Sequence, residues 1–452
     1  MALTVETVRA FRAALSDTAA AGDPDEALLV IRELEEAKNA ATATQAALSV
    51  LVHDAQTAAD RARGIDADET ARVVGSQLGL ARRISPRLGT RFLGVSRAME
   101  EMPHTRTAMQ SGSIREWQAT QLVAQTAFLS LDDRQRVDES VKELLGKVSD
   151  RRLIAAAQAA AYRADPEAFT ARRAKAESER RVSLRPAPDC MTLLTALLPV
   201  ADGVACYAAL NGAGQIPTSP DDTRGKGART ADTLVERITG RPARLAPPAA
   251  ITPQHDATSA DPGNQSTGPE SGQQKLPSPI AVNLLVPMES LTGDAEGHLD
   301  GFGPIPADLV REFPSEHETA GGLIRRVFTV PESGQLVAMD SRARAFPGLL
   351  AAFVRLRDQV CRTPFCGAQI KHIDHIQPVA EGGQTSVHNA GGDCERCNYT
   401  KEHPDLQVSG DADEYVVRAR GIEATSRPPS PPGRTASACS TRSYTKRIRL
   451  RL

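Results

Sequence analysis

Four cysteines in two close pairs constrain this chain more than any other feature. Cys361 and Cys366 flank four residues, and Cys394 and Cys397 form a C-x2-C knuckle downstream. The stretch they bound, CRTPFCGAQIKHIDHIQPVAEGGQTSVHNAGGDCERCNYTK, holds four of the chain's seven cysteines and three of its nine histidines. Two sulfur pairs, each offered by one tight turn, suit tetrahedral Zn²⁺, so Cys361, Cys366, Cys394 and Cys397 are expected to hold a structural zinc. Four unrelated buried thiols are the weaker reading of such spacing, and disulfides are disfavoured in the reducing, cytoplasmic setting this cysteine usage suggests. A closed four-sulfur site has no open coordination position, so chemistry has to lie between the pairs. There the chain offers Asp374-His375, then Asn389, then Asn398.

The rest of the chain reads differently. Aromatic residues are 4% of the 452, so Ala and Leu must fill most of the core, which favours helices. Residues 1–244 are expected to form a helical domain, with apolar residues recurring three and four positions apart. Asp23-Pro24, Ser85-Pro86 and Ser113 read as helix starts, and Met102-Pro103 as a helix end. The apolar run MTLLTALLPVADGVACYAAL is expected in the core, and Cys190 and Cys206 with it. Residues 245–279, rich in Pro, Gly, Ser and Gln, read as a disordered linker. Residues 280–345 carry strand patterns, including IAVNLLVPM and a hairpin at LIRRVFTVPESGQLVAMD. Residues 346–410 hold the cysteine-rich domain, and 411–452 are expected to be a disordered basic tail. No signal peptide or bilayer-spanning apolar run is legible, so no membrane partner is expected.

The formal net charge of −2 leaves polyanion binding to local patches. Arg355, Arg357 and Arg362, just ahead of and within the first knuckle, are candidates for phosphate contact. A second cluster, Arg72, Arg82, Arg83, Arg87, Arg91 and Arg97, spans a stretch without an acid. A solvated helix face is the commoner reading of such a run, and a DNA-facing surface the sharper one.

In the order Cys361, Cys366, Asp374, His375, Pro378, Gly382, Gly383, Asn389, Cys394, Cys397, Asn398, Lys401, the chain resembles the HNH endonucleases. The resemblance implies an α+β protein: a mostly helical N-terminal domain, a short β segment, and a C-terminal ββα-metal HNH domain stapled by the four-cysteine zinc. It implies metal-dependent hydrolysis of phosphodiester bonds in DNA, although the same site can cut RNA. His375 is then the general base, with Asp374 and Asn398 holding a divalent cation. Asn389 ties down the intervening loop and orients the His375 ring, and Lys401 contacts phosphate. Asn398 stands where the name-giving pattern has His, and an Asp/Asn oxygen pair suits Mg²⁺ or Mn²⁺. AMDSRARAFPGLLAAFVRLRDQVCRTPFC and RISPRLGTRFLGVSRAMEEMPHTRTAMQSGSIREWQA resemble the actinobacterial thirteen-E-twelve repeat proteins, in which the HNH domain follows a helical domain of unknown function. Two departures stand out: Asp393 where an apolar residue is usual, and Pro404-Asp405-Leu406 where Pro-Gly-Trp is typical. They leave open an alternative, a catalytically inactive, zinc-stapled DNA-binding protein. His372 is a candidate neighbour of the site, while His388 and His403 read as solvated loop positions.

Overall fold

The computed structural model describes residues 3–16, 23–215, 217, 222–240, short pieces between 284 and 310, Phe346 and 348–429. Two compact units emerge, one of residues 1–173, 284–317 and 322–452, the other of 174–283 and 318–321. The linker at 245–279, the hairpin expected at 323–340, the end of the tail and Cys439 lie outside the described residues.

The first unit opens with helices α1 (Val5–Ser16), α2 (Pro24–Arg63), α3 (Ala67–Arg82), α4 (Pro86–Glu100), α5 (Pro103–Gln110), α6 (Glu116–Thr126), α7 (Leu131–Val141), α8 (Asp150–Ala164) and α9 (Pro166–Ser178), the last running into the second unit. Their punctuation is local chemistry. The Asp23 carboxylate accepts the Asp25 and Glu26 amides, Pro24 opens α2, and Gly64 closes it 40 residues later at φ 74°. Ser85 caps α4 in the same manner. Ser113 caps nothing: α6 starts after Arg115, whose amide is held by the Gln118 side chain. Pro103, expected to follow a helix end, also begins the next helix, because its missing N–H is no loss there. A core including Phe92, Leu93, Met99, Met102, Met109 and Leu122 binds α2 to α8 together, whereas α1 and α9 bury no residue. Helices α3 and α4 pack unusually close, since a Cβ on Gly89 would lie 2.0 Å from the Gly75 carbonyl oxygen.

The second unit departs from the all-helical expectation. Arg181–Ala187 (β1) and Met191–Leu197 (β2) pair antiparallel, and α10 (Val200–Ala213) and α11 (Lys226–Thr239) follow. Met191, Leu193, Leu194, Leu197, Val200 and Tyr207, expected in the core, are exposed, as are Cys190 and Cys206. A two-stranded hairpin has no interior of its own, so hydropathy alone does not bury it.

Within the first unit, β3 (Leu284–Leu285), β4 (Gly297–Leu299) and β5 (Gly303–Ile305) form a small antiparallel sheet. Helix α12 (Gly348–Asp358) leads into the cysteine-rich domain. Strands β6 (His372–His375) and β7 (Ala390–Asp393) pair antiparallel, and α13 (Glu395–Thr400) completes a ββα unit. The expected tail is a correction: β8 (Gln407–Gly410), β9 (Tyr415–Ala419) and β10 (Ile422–Ser426) form a three-stranded sheet, so residues 411–426 belong to the fold. Arg420 and Gly421, at φ 45° and 77°, make the two-residue turn that favours a hairpin there. Tyr415 is buried in this sheet, which shares a core with α3: Val73 and Leu80 pack with Ile376, Leu406, Tyr415, Val417 and Ala419. Among the described residues, no helix is long and apolar enough to cross a membrane.

Candidate nuclease site

The four sulfurs converge as their spacing requires. Cys366 Sγ lies 3.8 Å from Cys394 Sγ and 3.7 Å from Cys397 Sγ, and all four ligand atoms fall within 4.8 Å of one another. A tetrahedron with metal–sulfur bonds of about 2.3 Å has edges of about 3.8 Å, so the cluster has the dimensions of a zinc site. These separations are far beyond a disulfide bond. Backbone turns aim the sulfurs: the Cys361 amide donates to the Ala368 carbonyl, and the Cys397 amide donates to Cys394 Sγ at the start of α13. Hydrogen bonding among the four sulfurs pushes the Cys366 and Cys394 thiols below their ordinary range and those of Cys361 and Cys397 above it.

Strand β6 carries the adjacent chemistry to the wall of a cleft of about 420 Å³, lined by Phe346, Arg355, Lys371, His372, Asp374 and His375. His375 is nearly buried at 8% side-chain exposure, its ring 4.6 Å from that of Phe346. Its Nε2 pairs with Thr385 Oγ1 at 2.9 Å, and Nδ1 lies 3.6 Å from Asp374 Oδ1. Sequence reasoning missed Thr385, an ordinary residue type whose role only the returning loop reveals. Asn389 was expected to tie down the loop and orient the ring. Its side chain does close the loop, accepting the Gln377 amide and donating to the carbonyls of Gln377 and Gln384. The hydrogen bond to the ring is made by Thr385 instead. Gly383 fits this loop because a Cβ there would lie 1.9 Å from the Gln377 carbonyl oxygen.

Lys401 does not face outward. Its ammonium, 9% exposed, lies 3.0 Å from Asp374 Oδ2 and 3.3 Å from Asp393 Oδ2, and donates to the His375 carbonyl. Asp393 explains this departure from the expected phosphate contact. Its carboxylate is fully buried, also accepts from the Tyr415 hydroxyl, and draws the lysine inward. Burial pushes the Asp393 carboxyl above its ordinary range despite Lys401. For Asp374, burial pushes the same way, but the Lys401 ammonium and the His375 N–H and ring together hold its carboxyl below the ordinary range. Asn398, on α13 one turn before Lys401, has its Oδ1 buried with no hydrogen-bond partner. An orphaned amide oxygen suits a hard cation, although Asn398 is not among the residues that line the cleft with Asp374.

The expected arginine contacts are also redistributed. Arg362, 2% exposed, pairs with Asp358 and donates to the Ala412 and Ser426 carbonyls. Arg357 pairs with the same carboxylate and donates to the Val387 and Ala390 carbonyls. Both hold the domain together and neither faces solvent, since a buried Asp358 needs its charge satisfied. Arg355 alone of the three is exposed, on the cleft wall. His372 lines the cleft with its ring 5.7 Å from Tyr399.

His403, expected in solvent, is buried at the junction with the helices. Its Nδ1 accepts the Asp405 amide, which leaves the proton on Nε2, 3.3 Å from Asp60 Oδ1. Asp60, His403 and Asp405 converge closely enough to suggest a second metal, but that protonated Nε2 is no ligand. The group is a lock between helices and nuclease-like domain. Gln56 donates to Asp60 and Asp405, Thr70 donates to Asp60, and Arg63 pairs with Asp405 at 2.8 Å. The Asp405 that replaces the usual Gly is therefore a partner in the lock.

The family model described as a domain of unknown function, DUF222, matches residues 31–358, and the HNH endonuclease model matches residues 359–404. No curated protein and no solved structure matches the chain.

Proposed function

Because the chain belongs to the DUF222 family and carries an HNH endonuclease domain after it, we propose that it is a metal-dependent endonuclease hydrolysing DNA phosphodiester bonds. The observation that carries this reading is His375, nearly buried on a cleft wall with Nε2 engaged by Thr385 and Nδ1 beside Asp374. A histidine anchored through one ring nitrogen can take a proton from water at the other, and its ordinary pKa near neutrality suits that task. With Nε2–H donating to the Thr385 hydroxyl, Nδ1 is the nitrogen that takes the proton. Asp374 and Asn398 are the residues to hold a divalent cation, Mg²⁺ or Mn²⁺, and their oxygens match its hardness. Such a cation supplies Lewis-acid stabilisation of charge on the phosphate and leaving oxygens. The four cysteines would hold Zn²⁺ as a staple outside this chemistry. Arg355, exposed on the cleft wall, is the arginine left to meet a phosphate.

A second reading is favoured by Lys401, whose ammonium already pairs with Asp374. In it the domain survives as a zinc-stapled nucleic-acid binder without cleavage. Plasmid nicking with Mg²⁺ or Mn²⁺ separates the two. The nuclease reading expects cleavage by wild type and loss on His375→Ala; equal cleavage by both, or none by either, overturns it.

A further inference from the structure

We infer that the exposed arginine face of α3 and α4 is a phosphate-binding platform that holds duplex DNA beside the HNH cleft, giving the helical domain a function. The inference rests on the nuclease reading and extends it to that domain. From Thr70 to Met99 the chain has six arginines and no acid. Arg82 is neutralised by Glu116 and stacked on Phe92. Arg72, Arg83, Arg87, Arg91 and Arg97 are all exposed, with no acidic side chain paired to them among the described residues. A solvated helix of a nearly neutral protein ordinarily mixes both signs of charge, as α7 does with its Asp133–Arg136 pair.

The position of this face is what turns it from charge into a site. Arg396 of α13 donates to the Thr90 hydroxyl and the Arg72 carbonyl, so α13 rests directly on α3 and α4. One helical turn further along α13 stands Tyr399, 59% exposed and 5.7 Å from the His372 ring on the cleft wall. Tyr399 and the half-buried Arg396 thus stand between the cleft wall and α3 and α4, where Arg396 meets Arg72 and Thr90, the neighbour of Arg91 and one turn from Arg87. The shared core of Val73 and Leu80 with Ile376 and Val417 fixes the two parts together. Acids flank this path at Glu395, exposed on α13, and at Asp68 and Glu69 in the first turn of α3, one turn before Arg72. A row of unpaired guanidinium groups rigidly joined to a phosphodiesterase-type cleft fits the backbone of the polymer that enters it, and a regular phosphate ladder asks for no base readout.

The test uses full-length protein carrying His375→Ala, so that DNA is not cut, and measures affinity for two unrelated duplexes from low to moderate salt. Arg87→Ala/Arg91→Ala is compared with Arg151→Ala/Arg152→Ala, which removes two exposed charges from α8. The platform expects the first pair to weaken both duplexes about tenfold and to flatten the slope of log K against log salt by roughly 1.8, with little change for the second. Equal effects of the two pairs, no effect of the first, or no duplex binding by the parent overturns it. Stronger patch-dependent binding of duplex RNA overturns the choice of DNA. Cleavage by wild type with an unaltered salt slope in the variant sinks the platform and leaves the nuclease reading standing. Arginine-dependent binding without cleavage does the reverse.

Discussion

The sulfur cluster and the histidine cleft lie within a few residues of each other and are built on opposite plans. In the cluster every ligand is supplied by a short turn, three of the four cysteines are buried, and the sulfurs neighbour one another, Cys361 Sγ also reaching Asp393 Oδ1 at 3.7 Å. In the cleft the reactive groups stand on one strand, but what holds them comes from elsewhere: Thr385 from the returning loop, Lys401 from past α13, Asp393 from the opposing strand. The first cluster is closed on itself, the second open on one side and dependent on its surroundings. Damage to the one should therefore cost the fold, and damage to the other the chemistry.

The largest expected effect lies in the cluster. Structural zinc contributes on the order of 10 kcal/mol to small domains, so Cys394→Ser is expected to abolish zinc retention and unfold β6 through β10. Hydrogen exchange across residues 372–426 and zinc content after dialysis report it; a protected, zinc-free domain breaks the comparison. His375→Ala should do the opposite, leaving Tm within a few degrees while cleavage falls by about 100- to 10,000-fold. A large loss of Tm would mean that the cleft too is structural.

Thr385→Val sharpens the picture, since it removes the hydrogen bond to His375 Nε2 while keeping the side chain's shape. A loss of about 10- to 100-fold in cleavage is expected, together with a displaced pH profile that Thr385→Ser restores. An unchanged profile in both variants assigns Thr385 to packing alone.

The smallest effect belongs to the lock at the junction. The Arg63 and Gln56 hydrogen bonds hold the Asp405 carboxyl below its ordinary range. A carboxyl depressed in the folded state adds stability above its unfolded pKa of about 3.9 and loses it as pH falls through the lower, folded value. Asp405→Asn is therefore expected to flatten the acid limb of the stability curve below about pH 4 while leaving neutral-pH cleavage intact. Parallel acid limbs in the two proteins would remove Asp405 from the lock.

The same contrast explains what the amino-acid sequence discloses. Cys361, Cys366, Cys394 and Cys397 are legible because their chemistry is rare and their spacing local, and Asp374-His375 is legible from its place between them. Thr385 is not, because threonine is common and its meaning depends on where a loop returns. Arg357 and Arg362 look like phosphate ligands until the buried Asp358 claims both. His403 and Asp405 gain their roles from Asp60, Gln56 and Arg63, separated from them by most of the chain. The strands at 415–426 carried a signal in EYVVRARGIEATS, whose β-branched residues flank an Arg-Gly turn. The charged residues around them favoured a tail, and only the core shared with α3 decides otherwise.

That shared core has a consequence for how the molecule comes into being. Val73 and Leu80 emerge from the ribosome long before Ile376, Tyr415 and Val417, which they help to bury. Helices rich in local contacts form early, whereas the sheet that leans on them waits for its distant partner. The HNH domain is thus made after the helices it leans on and cannot bury this apolar surface until they stand. A nascent copy interrupted before residue 359 carries helices without the HNH domain, and a copy stripped of its helices leaves Ile376, Tyr415 and Val417 without the partners that bury them.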